Sequence, residues 1–209
     1  TTGGMLSTEE RLKKGFRWPE PSPYHVAASV TECVAAAVGC TGPAFTVATA
    51  CSSGAAALKL ALEMLRRGKV RTVLAGGADS LCRLTYYGFN ALQIVDRAGA
   101  RPFDRRRQGM SVAEGAALLL LRAAASPPAD ALAELLGGGL SCDAHHPAAP
   151  HPEGRGALTA MAAALADAGI PREAVDYINL HGTGTLENDQ AEGRAVQALF
   201  GGQPPPASS

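Results

Sequence analysis

The sequence predicts an α/β fold with largely parallel sheets, and three observations carry that prediction. Short apolar runs alternate with alanine- and leucine-rich helical runs along the chain, the order expected when strands and helices interleave. Gly39, Gly68 and Gly169 follow helical runs, where glycine closes helices. Arg71–Ala78 reads as a continuous apolar run without alternation, the pattern of a strand covered on both faces.

Taken in order, a polar start containing Glu9, Glu10, Lys13 and Lys14 leads into a helix over 27–38, ended by Gly39. Phe45–Thr49 has the β-branched and aromatic content of a short buried strand, bounded upstream by Thr41, Gly42 and Pro43. Ser52–Arg67 places Leu58, Leu62 and Leu65 at helical spacing and stops at Gly68. The run Arg71–Ala78 exits into Asp79 and Ser80, and Gly115–Arg122 is a second such strand. Between them Arg101–Gly109 reads as a loop whose arginines face solvent or meet local carboxylates. Ala123–Pro128 is the linker, dividing the chain into halves at 1–123 and 124–209. Beyond it, Leu132–Leu140 reads as a strand and Gly156–Ala168 as a helix closed by Gly169 and Pro171. Asp176–Leu180 reads as a strand ending at His181, and a last helix runs from about Asn188 to Phe200.

Composition narrows the class. The 209 residues carry 19 basic and 19 acidic side chains, so neither nucleic acid nor an anionic membrane surface gains electrostatic support as a partner. Apolar stretches such as Ala116–Leu121 are far too short to cross a bilayer, and the amino end lacks a signal-peptide pattern. Cys33, Cys40, Cys51, Cys82 and Cys142 are an odd number without CxxC pairing, which argues against a disulfide scaffold and fits a reducing cytoplasm. Neither Gly137-Gly138-Gly139 nor Gly182-Thr183-Gly184 forms a GxGxxG or GxxxxGK[ST] pattern, so no nucleotide cofactor is expected. The cluster of Cys142, Asp143, His145, His146 and His151 lacks HxxxH or HExxH spacing, which disfavours zinc.

The chemistry centres on Cys51, in Thr49-Ala50-Cys51-Ser52-Ser53-Gly54. Between a strand and a helix, its sulfur would lie at a helix amino end, where unpaired N–H groups and the dipole favour thiolate over thiol. The small neighbours leave room for a substrate. The position also admits a buried cysteine serving as a small hydrophobe. His181 follows a strand in the second half, trailed by Gly182-Thr183-Gly184-Thr185, whose small residues let backbone approach a ligand; a structural histidine is the alternative. Ligands in α/β folds bind beyond the carboxyl ends of strands. A cysteine and a histidine so placed are the minimum constellation for covalent acyl transfer from a thioester or ester.

Five segments together carry a resemblance. Thr49–Gly54, Ala75-Gly76-Gly77-Ala78-Asp79, Arg101-Pro102-Phe103-Asp104, Ala113-Glu114-Gly115-Ala116, and His181–Thr185 with Asn188-Asp189 resemble the beta-ketoacyl-acyl carrier protein synthases, the decarboxylating condensing enzymes of fatty-acid and polyketide assembly. The resemblance runs over nearly the whole chain in order. It implies a thiolase-like fold, two similar α/β halves packed as αβαβα layers and here incomplete, lacking the first strands and the last part of the second half. It also implies an acyl carrier protein as partner, and a homodimer or a ketosynthase-like partner subunit.

By the same resemblance, Cys51 matches the nucleophile that takes the acyl group. His181 matches the first of two histidines that stabilise the enolate formed when a malonyl thioester loses carbon dioxide, as an oxyanion hole would. Asp189 and Glu192 match acidic residues that support the family's catalytic lysine; three apart, they share a helix face, and without the family match they would read as a solvated one. The family's lysine and its second histidine, in a His-x-x-Gly-Ala-Ala-Gly-like motif, are not found here. Pro204–Ser209 looks like the approach to the lysine strand, and Thr1–Met5 resembles an internal family segment. The expectation is the middle of a condensing enzyme, with exposed apolar sheet edges, that does not complete condensation alone. A noncatalytic ketosynthase-like partner subunit and a thiolase-type enzyme acting on acyl-coenzyme A are the alternatives.

Overall fold

A computed structural model describes residues 13–15, 27–126 and 128–209. The readings placed on Thr1–Met5, Glu9 and Glu10, and Pro127 within the linker, lie outside the described residues. Contacts divide the chain into two compact units, Thr1–Ala91 with Val112–Pro128 and Leu92–Ser111 with Ala129–Ser209.

In the first unit, helix α1 spans Ser29–Ala37 and helix α2 spans Ser53–Arg66. Both end at left-handed glycines, Gly39 (φ +65°) and Gly68 (φ +62°), the conformation that lets glycine close a helix without a Cβ clash. Strands β1, Thr72–Asp79, and β2, Gly115–Arg122, form a two-stranded sheet, and α3, Arg83–Ala91, lies between them in sequence. The apolar stripe of α2 buries Ala56, Ala61 and Leu62, and β1 buries Ala75. Small residues set the approach: a Cβ on Gly77 would lie 3.5 Å from the Gly54 Cα, so the first turn of α2 seats directly on β1. On α2, Lys59 donates to Glu63 at 2.7 Å, one turn apart, a pair contributing about 0.2–0.5 kcal/mol.

Two expectations for this unit are corrected. The β1–β2 pair is antiparallel, in register from Thr72 opposite Arg122 to Asp79 opposite Gly115. Unalternating apolar runs indicate strands but not their direction, and here β2 leaves Leu118, Leu119 and Leu120 exposed, the last at 64%. Phe45–Thr49 is not a strand. β-rich composition specifies a strand only where a partner ladder exists, and Phe45 is 59% exposed rather than buried.

In the second unit, α4, Arg155–Ala168, packs on α5, Leu186–Phe200. The core of α5 is Ala191, Ala195 and Val196. Helix α4 closes at Gly169, φ +68°. The strand expected over 176–180 contracts to β3, Ile178–Asn179, paired parallel with β4, Ala207–Ser208. Among the described residues the only other parallel pairing is the Val95–Met110 bridge, so the expected largely parallel sheets are replaced by one long antiparallel pair and two short parallel contacts.

Leu132–Leu140 is irregular rather than a strand. It is held by helix contact instead of a ladder: a Cβ on Gly137 would lie 2.5 Å from the Ala168 nitrogen, and one on Gly139 would lie 2.6 Å from the Ala164 nitrogen. The Gly138 N–H donates to Asp167 at 2.9 Å. Glycines read as strand interior are thus the surface on which α4 rests. Gly139→Ala is expected to destabilise the chain by about 1–3 kcal/mol through this overpacking, read as a lower thermal midpoint by circular dichroism.

Arg101–Gly109 is a loop, as the sequence indicated, and Arg101 and Arg106 meet local carboxylates while Arg107 meets a distant one. Arg101 lies 3.4 Å from Asp96, Arg106 3.6 Å from Asp104, and Arg107 3.1 Å from Asp189. The Arg106 backbone N–H donates to Asp104 at 2.6 Å. That bond, aided by the Arg106 and Arg101 charges, holds the Asp104 carboxyl below the usual carboxylate range. A depressed acid contributes its bond above its unfolded value and loses it as pH falls through the folded one, so this turn is formed at neutral pH and loosens in acid.

Candidate active site

Cys51 sits in a 3-10 turn, Ala50–Ser52, that runs straight into α2. Ala50 before it is left-handed, φ +56°, a conformation that strains any residue with a Cβ. Three hydrogen bonds over-determine the turn. The Thr49 N–H donates to the Ser53 Oγ at 2.9 Å, the Ser53 hydroxyl donates to the Ala50 carbonyl at 2.7 Å, and the Ser52 hydroxyl donates to the Thr49 carbonyl at 2.9 Å. The two serines that follow the cysteine therefore hold a strained bend that presents it. Cys51 is exposed, which sets aside the buried-hydrophobe reading. The first turn of α2 carries no acidic side chain, so nothing there offsets the positive end of the helix dipole toward the sulfur. None of the five cysteines is in a disulfide.

His181 follows β3, whose ladder continues into the Leu180 N–H bond to the Ser208 carbonyl at 2.7 Å. Its main chain is fixed from α5. Glu192 accepts the His181 N–H at 2.7 Å on one carboxylate oxygen and the Gly182 N–H at 2.9 Å on the other. Asp189, one turn earlier, accepts the Gly184 N–H at 3.1 Å and the Phe103 N–H at 2.8 Å. Its side chain is fully buried. The pair is therefore not a solvated helix face, and both carboxylates grip the loop that follows the histidine.

The glycines of that loop serve packing. Gly182 (φ +46°) and Gly184 (φ +77°) are left-handed. A Cβ on Gly184 would lie 2.5 Å from the Gly109 carbonyl oxygen, and one on Gly182 would lie 3.2 Å from the Pro102 Cβ. Their smallness lets the 101–109 and 181–185 loops meet, where the sequence suggested ligand approach. Glu192→Ala leaves two loop N–H groups without their acceptor, a local cost of about 1–3 kcal/mol. Amide hydrogen exchange at His181 and Gly182 is expected to accelerate, while that of α4 stays unchanged.

In the 142–151 segment, Asp143 accepts the His151 N–H at 2.7 Å, and the His146 Nδ1 accepts the Ala148 and Ala149 N–H groups at 3.1 Å. The His145 and His151 rings lie 4.9 Å apart. These side chains shape a loop, and among the described residues no three His, Cys, Asp or Glu side chains converge as a ligand group. Among the described residues no helix is long and apolar enough to cross a membrane.

Comparison with known proteins gives the family. The family model "Beta-ketoacyl synthase, N-terminal domain" matches residues 2–126, and "Beta-ketoacyl synthase, C-terminal domain" matches residues 132–209. The chain belongs to the beta-ketoacyl synthase family. Among relatives, nodulation protein E of Rhizobium meliloti is 40% identical over 208 residues, covering 95% of this chain and 51% of that protein. The 3-oxoacyl-[acyl-carrier-protein] synthase 2 of Synechocystis is 34% identical, over 95% of this chain and 52% of that one. A ketosynthase solved in complex with its chain length factor, from Xenorhabdus doucetiae, superposes with a TM-score of 0.87 at 36% identity, over 99% of this chain and 52% of that chain. The fold is thus the thiolase-like α/β fold of the beta-ketoacyl synthases, and the chain spans about half the length of the relatives it matches.

Within that family setting, Cys51 and His181 fall in different compact units. His181, Asp189 and Glu192 are joined by hydrogen bonds around one loop. The sequence missed Ala50 and Arg107. A glycine or asparagine at position 50 would have signalled the left-handed turn, and alanine gives no such sign. Arg107 was one arginine among several in a loop.

Proposed function

We propose that this chain carries the acyl-accepting half-site of a beta-ketoacyl-acyl carrier protein synthase acting in fatty-acid or polyketide assembly. The observation that carries the reading is the serine-locked, strained turn presenting exposed Cys51 at the amino end of α2, inside a chain matched in order by both family domains. The Cys51 thiolate attacks the carbonyl of an acyl thioester, and the tetrahedral intermediate expels the carrier thiolate, leaving an S-acyl cysteine. A malonyl thioester then loses carbon dioxide. The electron pair of the broken bond enters an enolate, whose oxygen His181 stabilises. The enolate carbon attacks the acyl-cysteine carbonyl, forming a carbon–carbon bond and releasing the Cys51 thiolate.

Asp189 and Glu192 are the supporting acids, here through the loop they hold. The proposed partners are an acyl carrier protein and either a second copy or a ketosynthase-like subunit, supported by the acyl-carrier-protein synthase and the paired ketosynthase among the similar proteins. No cofactor is required by this chemistry. A cytoplasmic setting and a boundary between halves near 123–124 complete the reading; the first family model ends close by, at residue 126, and the second begins at 132.

The second reading, a noncatalytic partner subunit, is favoured by the likeness to a ketosynthase paired with a chain length factor, and the retained Cys51 weighs against it. Incubation with acyl-carrier protein or acyl-coenzyme A followed by intact-mass measurement separates them. One acyl group added per chain from the carrier protein supports the proposal, transfer only from coenzyme A points to the thiolase-type alternative, and no adduct overturns the reading in favour of the noncatalytic one.

A further inference from the structure

We infer that Arg107 is a positioning residue for His181, acting through the buried Asp189 carboxylate. The inference rests on the role proposed for His181. Asp189 is fully buried, and the Arg107 side chain is only 13% exposed. The Arg107 Nε lies 3.1 Å from an Asp189 oxygen, but its N–H is not aimed at that oxygen and makes no hydrogen bond. The contact is one of charge with charge. The guanidinium is itself anchored, since its Nη1 donates to the Asp104 carbonyl at 2.9 Å.

The consequence lies in what the neutralised carboxylate does next. One Asp189 oxygen takes the Gly184 N–H, three residues after His181, and the other takes the Phe103 N–H, four residues before Arg107. A single ionised group thus ties the 101–109 loop to the 181–185 loop, at the place where Gly184 packs on the Gly109 carbonyl. Glu192 fixes the near side of the histidine loop at residues 181 and 182, and Asp189 fixes its far side at residue 184. The main chain bearing His181 is therefore held at both ends of the bend. The far anchor needs an adjacent cation, because a buried carboxylate without one is strongly disfavoured. Arg107 supplies that charge from the 101–109 loop.

The test reads the His181 imidazole carbon–proton resonance in the whole chain, assigned through His181→Gln, with the other four histidines as internal controls. Arg107→Gln is expected to displace or broaden the His181 resonance, leave the other four in place, and be reversed by Arg107→Lys, which keeps the charge. Should Arg107→Gln fail to fold, the double variant Arg107→Met with Asp189→Leu removes both charges together, and the same displacement is expected in the folded protein. An unchanged His181 resonance in whichever of these variants folds, or a displacement in Arg107→Lys as large as in Arg107→Gln, overturns the inference. The acyl adduct on Cys51, measured on the same samples, keeps the two readings apart. Its absence from the wild-type chain with the His181 results intact overturns the functional reading alone, and its presence with an unmoved His181 overturns the positioning role alone.

Discussion

Cys51→Ala is expected to abolish acyl uptake, a loss of about 10⁶-fold on the scale seen when a covalent nucleophile is removed, which intact-mass measurement reads as absence of adduct. Exposure alone does not single this residue out, because Cys33, Cys40 and Cys142 are exposed as well. What separates Cys51 is its seat. The strained Ala50 and the hydroxyls of Ser52 and Ser53 hold the sulfur at the start of a fourteen-residue helix, where backbone N–H groups and the dipole favour an anionic sulfur and an anionic intermediate. Cys51→Ser retains the position and a hydroxyl, but an alcohol is hardly ionised near neutral pH, so it should fail nearly as completely. Retained uptake in either variant would place the reactive thiol elsewhere.

Asp189→Ala carries the largest expected cost in stability, about 3–5 kcal/mol, because it leaves Arg107 with an uncompensated charge in a mostly buried position. It also removes the acceptor for the Phe103 and Gly184 N–H groups at once. Urea denaturation followed by circular dichroism should show the midpoint falling sharply, and the Arg107→Met, Asp189→Leu pair should recover the part due to the uncompensated charge, while the two N–H groups left without an acceptor keep it below the wild-type value. A midpoint unmoved by Asp189→Ala would mean that the ion pair and the loop bonds contribute little to this fold.

The helices were legible because their evidence is local. Leu58, Leu62 and Leu65 recur at helical spacing, and Gly39, Gly68 and Gly169 stop the chain where the structure ends its helices. The two long strands were legible as apolar runs, but their antiparallel pairing was not, because Leu118–Leu121 has no alternation to reveal which face or neighbour it serves. Phe45–Thr49 and Leu132–Leu140 show the limit more plainly. Both have strand composition, and neither is a strand, since a strand is a property of a pair and composition belongs to one segment. Gly137 and Gly139 are explained by positions of a helix more than twenty residues away, Ala168 and Ala164, a relation no local pattern encodes.

The site divides along the same line. Cys51 and His181 could be picked out because their residue types and small neighbours are unusual in sequence. The work of Glu192 and Asp189 was hidden, because each binds main-chain N–H groups, and every residue but proline carries one. Arg107 was hidden for a related reason: its partner is 82 residues away, and the neighbouring Arg105 and Arg106 look identical on paper.

The most direct test of the account is the location of the acyl group after a single exposure to acyl-carrier protein. Peptide mapping of the labelled chain is predicted to find it on Cys51, with Cys33, Cys40, Cys82 and Cys142 unmodified. Label spread over Cys33, Cys40 and Cys142 in keeping with their exposure, or no label on Cys51, would contradict the claim that the turn at the start of α2 makes this cysteine the nucleophile.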